Sequence, residues 1–404
     1  MSISTKPPPE ARAAQADAAA QRLKGQPVSA IDTPALVIDL DAMDRNLHRM
    51  AEFAKKHDLR WRPHAKLHKS AQLARLQVQA GAIGVCVQKT SEAEALAAGG
   101  VRDIFISNEV IAPMKLARVA TLARNLGSVG GRLAVAVDSM VGALGLAEAM
   151  AAADGSAGRL TIDVFVEIDV GQGRCGVAPG AAALELVQEI ERHRTLVFAG
   201  LQAYHGNAQH LRSVHERRDA IAQAVDAAVR TRQAIEAQGI PVGLVTGAGT
   251  GTFALEAASG VYGELQPGSF LFMDADYAKN DPDPAQPQFD QALFVKTQVI
   301  SVAADHAVCD AGHKSHAIDS GLPVVHPLPG DPALVFENGG DEHGILRAAA
   351  RGGPLPTLGD TLWLIPGHCD PTVNLHDRMV GVRGGLAHGK IERVIRVDAR
   401  GAVT

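Results

Sequence analysis

The sequence predicts an α/β protein: a (β/α)8 barrel followed by a mainly β C-terminal domain. Three observations carry this. Short apolar runs alternate with helix-like stretches from about residue 33; eight such runs precede Asp276; and the alternation stops at a Pro/Asp-rich break, Asn280-Asp281-Pro282-Asp283-Pro284-Ala285-Gln286-Pro287. Eight strands alternating with helices is the number that closes a parallel barrel. A doubly wound open sheet is the alternative, disfavoured because no GxGxxG fingerprint follows the first run.

In chain order the strand candidates are Pro34–Leu40, Arg60–Lys66, Gly84–Lys89, Asp103–Ser107, Leu133–Asp138, Asp163–Asp169, Phe198–His205 and Gly243–Gly247. Helical periodicity falls between them, over Asp41–His57, Ser70–Ala80, Ser91–Ala98, Pro113–Leu126, Val141–Ala153, Ala181–Arg192 and Val214–Ala237. The Pro/Asp break cannot continue a helix or an inner strand. Beyond it the runs Ala292–Ala303, Ala307–Asp310, Leu334–Phe336, Thr361–Ile365, Arg378–Arg383 and Lys390–Val397 are strand-like. The expected organisation is a tail over residues 1–30, a barrel over 31–280 and a β domain over 281–404. Ala11–Leu23 in the tail reads as an amphipathic helix or a mobile segment.

Composition narrows the function. A net charge of −5 without basic clusters argues against nucleic acid as a partner. Four scattered cysteines with no CxxC pair read as reduced thiols in a cytoplasmic protein. No run is long and apolar enough to span a bilayer, and residues 1–30 lack the apolar segment of a signal peptide. A small molecule is the expected partner.

In a (β/α)8 barrel the chemistry sits at the C-terminal strand ends. Here those ends carry His64 and Lys66, Gln88 and Lys89, Ser107-Asn108-Glu109, Asp138, Glu167-Ile168-Asp169 and Tyr204-His205-Gly206. Any one of them is equally well a polar residue reaching solvent; the whole set is not. Lys66 and Lys69 are the candidates for a Schiff base, and Lys66 at the strand end is the preferred one. An amine must be deprotonated to attack an aldehyde, and Arg62, His64 and His68 nearby would lower its pKa. Lys69 is expected to open the next helix and point outward. Thr246-Gly247-Ala248-Gly249-Thr250-Gly251-Thr252 is a Gly-rich loop after the eighth run, where barrels often hold phosphate on backbone N–H groups. Arg174, just after the sixth run, is placed to meet a carboxylate, a phosphate or a cofactor ring atom.

Near the C-terminus, Pro366-Gly367-His368-Cys369-Asp370-Pro371-Thr372 offers His and Asp at i and i+2. An extended chain puts His368 and Asp370 on one side and Cys369 on the other, and Pro371 favours extended geometry before it. Two protein ligands suit a labile catalytic ion such as Mn²⁺ or Mg²⁺ better than a closed zinc site. Asp341-Glu342-His343-Gly344 and His376-Asp377 are polar clusters that could support the pair.

These stretches resemble the D-threonine aldolase and 3-hydroxy-D-aspartate aldolase family, related to D-serine dehydratase and alanine racemase. The likeness runs from about Asp32 to Arg400, through DTPALVIDLDAM, RPHAKLHKS, GVCVQKTSEAEA, VEIDVGQGRCGV, GLQAYHG and PGHCDPTVNLHD. It implies pyridoxal 5'-phosphate (PLP) on Lys66, Arg174 near the cofactor ring, Tyr204 and the Gly247–Gly251 loop at the phosphate, a divalent metal on His368 and Asp370, and a homodimer. Two departures bear on this. The loop reads Gly247-Ala248-Gly249 where these aldolases have three glycines, a change tolerated if that backbone is not left-handed. Dehydratase relatives have His-x-Cys where this chain has His368-Cys369-Asp370, which favours the aldolases.

The implied reaction is retro-aldol cleavage of a D-β-hydroxy-α-amino acid to glycine and an aldehyde, with His64, His205 or a metal-bound hydroxide as the base. A β-eliminating dehydratase is the nearest rival, a racemase a more distant one, and a silent PLP-binding protein the non-enzymatic reading.

Overall fold

A computed structural model describes residues 21–154 and 160–404. The Ala11–Leu23 stretch lies outside them except for its last three residues. Contacts divide the chain into two compact units, one holding Arg45–Asp290 and Val397–Thr404, the other the chain up to Asp44 and Gln291–Arg396.

The first unit is the barrel. Its strands are β2 (Arg60–Trp61), β3 (Val85–Val87), β4 (Asp103–Glu109), β5 (Arg132–Val137), β6 (Ile162–Glu167), β7 (Leu196–Ala203), β8 (Val245–Gly247) and β9 (Glu264–Leu265), with β1 (Ala35–Asp39) outside it. They hydrogen-bond in the order β2-β9-β8-β7-β6-β5-β4-β3, each pair parallel. The two ends of that row meet. His64 bridges Cys86 in parallel, and the Cys86 N–H donates to Pro63 O at 2.9 Å.

Sequence forms these elements for local reasons. The helix Val214–Glu236 opens on a reciprocal cap: the Glu216 N–H donates to Ser213 Oγ and the Ser213 N–H to Glu216 Oε2, both at 3.2 Å. Pro113 starts the helix Pro113–Ser128, where its missing N–H costs nothing. Strands and helices bury a continuous aliphatic layer between them, and the barrel interior is filled by Cys86, Phe105, Ala134, Ala136 and Phe165. The Phe105 and Phe165 rings lie 4.7 Å apart, so this interior is packed core and no pore. A charged network also lies in this unit. Buried Arg62 contacts Asp103 and, at 3.2 Å, Glu264, which accepts the Thr246 hydroxyl at 2.9 Å.

The second unit holds a nine-stranded sheet with β10 (Leu293–Val302), β11 (Ala307–Cys309), β12 (Val324–His326), β13 (Leu334–Asn338), β14 (Gly344–Ala348), β15 (Thr361–Ile365), β16 (Arg378–Arg383) and β17 (Lys390–Arg396). Here the structure corrects the strand assignment. Pro34–Leu40 was expected to open the barrel, yet β1 lies between β10, antiparallel, and β16, parallel. The eighth barrel strand is the two-residue β9. A buried run has the same all-apolar pattern in either sheet, and two residues carry no readable period. The organisation therefore departs from the expected 31–280 and 281–404 at both ends, since β1 joins the second unit and Val397–Thr404 the first.

Candidate active site

β2 ends in an extended turn that carries Arg62-Pro63-His64 into a short 3₁₀ helix, Ala65–Leu67, with Lys66 in its middle. His64 caps this helix, its Nδ1 3.4 Å from the Lys66 N–H. On its other face His64 Nε2 lies 2.8 Å from Gln88 Nε2 and 3.3 Å from Ser107 Oγ. Both ring nitrogens are thus engaged and the side chain is buried. His64 orients the turn that carries Lys66, and it is poorly placed to collect a proton from a substrate.

Lys69 differs from expectation. It is buried, has φ +49°, and its ammonium lies 3.1 Å from Glu92 and 3.4 Å from the carbonyls of Ala399 and Ala402. The helix Ala71–Gln79 starts two residues later, and Asp398 caps it by accepting the Ala71 N–H at 2.8 Å. Lys69 points inward because its partners come from a helix and a chain end that are remote in sequence.

Strands β4 and β6 end in Glu109 and Glu167, Asp138 directly follows β5, and the loop after β6 adds Arg174 and Cys175. Asp169 folds that loop by accepting the N–H groups of Gly171 and Gly173, each at 3.0 Å. Burial first, then Glu109 hydrogen-bonded beside it, push the Glu167 carboxyl well above the usual carboxylate range, with Arg174 pulling the other way. The Arg174 guanidinium stands over the Tyr204 ring, 5.7 Å from its centroid. Donor atoms of Glu109, Asp138 and Cys175 lie within 4.8 Å of one another. Burial and Glu109 hold the Cys175 thiol up at about 11, so it stays protonated. This cluster is better suited to sharing protons around Arg174 than to holding a metal.

His205 follows Tyr204 after β7. It is half-buried, its Nδ1 is out of solvent and has no hydrogen-bond partner among the described residues. Burial holds the imidazole pKa below its ordinary value, with Asp169 opposing, so the ring is neutral and can accept a proton.

The Gly-rich loop follows β8, which is the seventh barrel strand in chain order. Its start is already committed, the Thr246 hydroxyl lying 2.9 Å from Glu264 and 2.7 Å from Gln266 Nε2. Farther on, the Thr250 hydroxyl accepts the Phe270 N–H at 3.0 Å and the Gly251 N–H donates to Gln209. The N–H groups of Ala248, Gly249 and Thr250 have no hydrogen-bond partner among the described residues, though all three residues are buried. Three successive buried donors of this kind form a cradle for an anion and fit a cofactor phosphate. Ala248 has φ +71°. The condition for harmless replacement of glycine is therefore not met, and the alanine sits in the left-handed region at a cost of about 1–2 kcal/mol.

In the second unit His368 and Asp370 lie after β15, but not on a strand. His368 is extended (φ −143°, ψ 133°) and caps a short helix, Cys369–Val373, with Asp370 in its first turn. Pro371 is tolerated there because a first-turn residue has no intrahelical N–H bond to lose. The strand alternation that was to put the pair on one side is therefore absent; Cys369 is fully buried, whereas His368 and Asp370 are half-exposed. Thr372 Oγ1 donates to His368 O at 2.7 Å and accepts the Ala317 N–H at 3.1 Å, which braces the turn. A nitrogen and a carboxylate at one turn, the carboxylate with Oδ1 out of solvent, fit a divalent ion whose other positions are left to water and substrate. Asp341 and Glu342 pair with Lys314 at the surface, at 3.2 and 2.6 Å, and His376 Nε2 meets Ser315 O at 2.7 Å.

Sequence reasoning missed Gln209 altogether and the contact of Glu109 with the buried Glu167 carboxyl. Neither has a local signal: Gln209 lies in a short 3₁₀ helix without a period, and the two carboxyls come from β4 and β6, which meet only across β5 once the barrel has formed.

Lys66 at a barrel strand end, a phosphate cradle after β8 and a separate sheet unit define the alanine racemase class of PLP-dependent folds. Comparison with known proteins agrees. The family described as alanine racemase, N-terminal domain, matches residues 38–276, and the putative serine dehydratase domain matches 292–382. A D-threonine aldolase from an Arthrobacter species is 43% identical over 93% of this chain and 95% of its own. A 3-hydroxy-D-aspartate aldolase from Paracoccus denitrificans is 42% identical over 94% and 95%. The crystal structure of D-threonine aldolase from Filomicrobium marinum superposes with a TM-score of 0.88 at 45% identity, covering 94% of this chain and 99% of that one. A D-threo-3-hydroxyaspartate dehydratase from a Delftia species is more distant, at 32% identity over 85% of this chain. The chain belongs to the D-threonine aldolase and 3-hydroxy-D-aspartate aldolase family.

Proposed function

We propose that the protein is a PLP- and divalent-metal-dependent aldolase that splits D-configured β-hydroxy-α-amino acids, of the D-threonine or 3-hydroxy-D-aspartate kind, into glycine and an aldehyde. The observation that carries this reading is that residue 370 is Asp, which would give the metal an oxygen at the position where dehydratase relatives have a sulfur.

When bound, PLP supplies a sink for the electrons of the broken Cα–Cβ bond, and Mn²⁺ or Mg²⁺ supplies positive charge that lowers the pKa of the β-hydroxyl. The chain's own residues do the rest. Lys66 is the amine that holds the cofactor, His64 fixes the turn beneath it, and the N–H groups of Ala248, Gly249 and Thr250 with Tyr204 hold the phosphate end. Arg174 faces the ring, and the Glu109–Glu167 pair keeps a shared proton near it. His205 is the residue that takes the β-hydroxyl proton, its neutral imidazole keeping one acceptor nitrogen. That oxygen then becomes the aldehyde carbonyl as the carbon–carbon bond breaks, and Cα regains a proton to give glycine. His368 and Asp370 hold the metal. The working state is a homodimer, as the family implies.

The variant Asp370→Ala is expected to lose cleavage and metal binding while keeping the visible absorbance of lysine-bound PLP. Normal cleavage in that variant would remove the metal from the mechanism.

A further inference from the structure

Gln209 is fully buried on the 3₁₀ helix Asn207–His210, immediately after the Tyr204-His205 turn. Its side chain spends every hydrogen-bonding group on joining two loops. Oε1 accepts the Gly251 N–H at 2.9 Å, while Nε2 donates to Thr252 Oγ1 at 2.8 Å and to His205 O at 3.2 Å. The main chain of Gln209 is held as well, its carbonyl accepting Asn280 Nδ2 at 2.8 Å. A Cβ on Gly249 would come within 2.5 Å of Gln209 Oε1, and one on Gly251 within 2.6 Å of Gln209 O. The two glycines are therefore needed by the glutamine as well as by any ligand. Gln172 repeats the device one loop earlier: its Oε1 accepts the Gly206 N–H at 2.8 Å, and a Cβ on Gly206 would come within 2.5 Å of Gln172 Nε2.

We propose that Gln209 is a positioning residue for the cofactor-phosphate loop, fixing the β8 loop against the Tyr204-His205 turn so that the N–H groups of residues 248–250 are set before the phosphate arrives. Gln172 does the same for the turn relative to the Arg174 loop. The inference rests on the PLP reading above and adds a residue that touches neither cofactor nor substrate. The physical basis is preorganisation. Without the amide, the Gly251 N–H loses its acceptor and Thr252 Oγ1 loses its donor, and binding must then pay for ordering a glycine-rich loop.

The test compares PLP with pyridoxal, which forms the same bond to Lys66 but has no phosphate. Apo-protein is titrated with each, following the visible absorbance of the lysine-linked chromophore, for wild type, Gln209→Ala and Gln209→Leu; the leucine variant keeps the volume if the alanine variant does not fold. The expected result is a loss of PLP affinity of about tenfold or more, the scale of one or two hydrogen bonds, with pyridoxal affinity changed less than about twofold. Equal losses for both ligands would make Gln209 a general structural residue, and no loss would make it dispensable; either overturns the proposal. Wild-type protein that forms no chromophore with PLP would instead overturn the cofactor reading itself, and the positioning role with it.

Discussion

The Lys69 ammonium lies 3.1 Å from the Glu92 carboxylate, both groups withdrawn from solvent, three residues beyond Lys66. Glu92 also accepts the N–H groups of Gln88 and Lys89 at 2.9 and 3.1 Å. One ion pair thus ties the segment after Lys66 to the end of β3, whose Gln88 in turn meets His64. Removing one partner leaves a buried charge uncompensated. Lys69→Met is expected to lower stability by about 3–5 kcal/mol, measured by urea unfolding of the apo-protein. The double variant Lys69→Met, Glu92→Gln should recover part of that loss; an additive double variant would show that the pair does not interact.

Ala248 occupies a left-handed position, at φ +71°. A β-branched side chain fits that region much worse than a methyl group does. Ala248→Val is expected to cost about 2–3 kcal/mol and to weaken PLP binding. Ala248→Gly should stay within about 1 kcal/mol of wild type, because relief of strain offsets the extra freedom of the unfolded chain. Equal tolerance of valine and glycine, judged by melting temperature and PLP titration, would contradict this backbone assignment.

Burial pushes the Glu256 carboxyl up to about 7, the Thr252 hydroxyl at 2.7 Å pulling the other way. Between the unfolded value near 4.5 and 7 the unfolded chain has released this proton and the folded chain has not. The unfolded state binds fewer protons, so this group lowers stability as pH rises through that window, by up to about 3 kcal/mol. Glu256→Gln is expected to flatten that part of the stability profile. Identical slopes for variant and wild type from pH 4.5 to 7 would mean that Glu256 ionises normally in the fold.

His64 and His205 are expected to separate by role. His205→Ala is expected to lower kcat by about 10²–10⁴-fold, the usual contribution of a general base, with PLP absorbance unchanged. His64→Ala should disturb the Lys66 turn and therefore the absorbance itself. The reverse pattern would move the base to His64.

Much of this was legible in the sequence, and the exceptions share a cause. Long amphipathic helices such as Val214–Glu236 and strands such as Thr361–Ile365 fall where the sequence pattern puts them, because each writes its own pattern. The role of β1 could not be read, since a buried strand does not record which sheet it joins. Lys66, Arg174, Tyr204 and the Gly-rich loop stand out by type and spacing. Lys69 does not, because its inward orientation depends on Glu92 and on Val397–Thr404. Gln209 and the Glu109–Glu167 pair are likewise products of tertiary contact. His368 and Asp370 were singled out by a strand-like spacing, and the local geometry is instead a helix cap and first turn.

Product analysis tests the central claim most directly. The holoenzyme with Mn²⁺ or Mg²⁺ is incubated separately with 3-hydroxy-D-aspartate and D-threonine. The account predicts glycine with glyoxylate or acetaldehyde, abolished by EDTA. Oxaloacetate or 2-oxobutyrate with ammonia would make the protein a dehydratase and contradict the weight placed on Asp370.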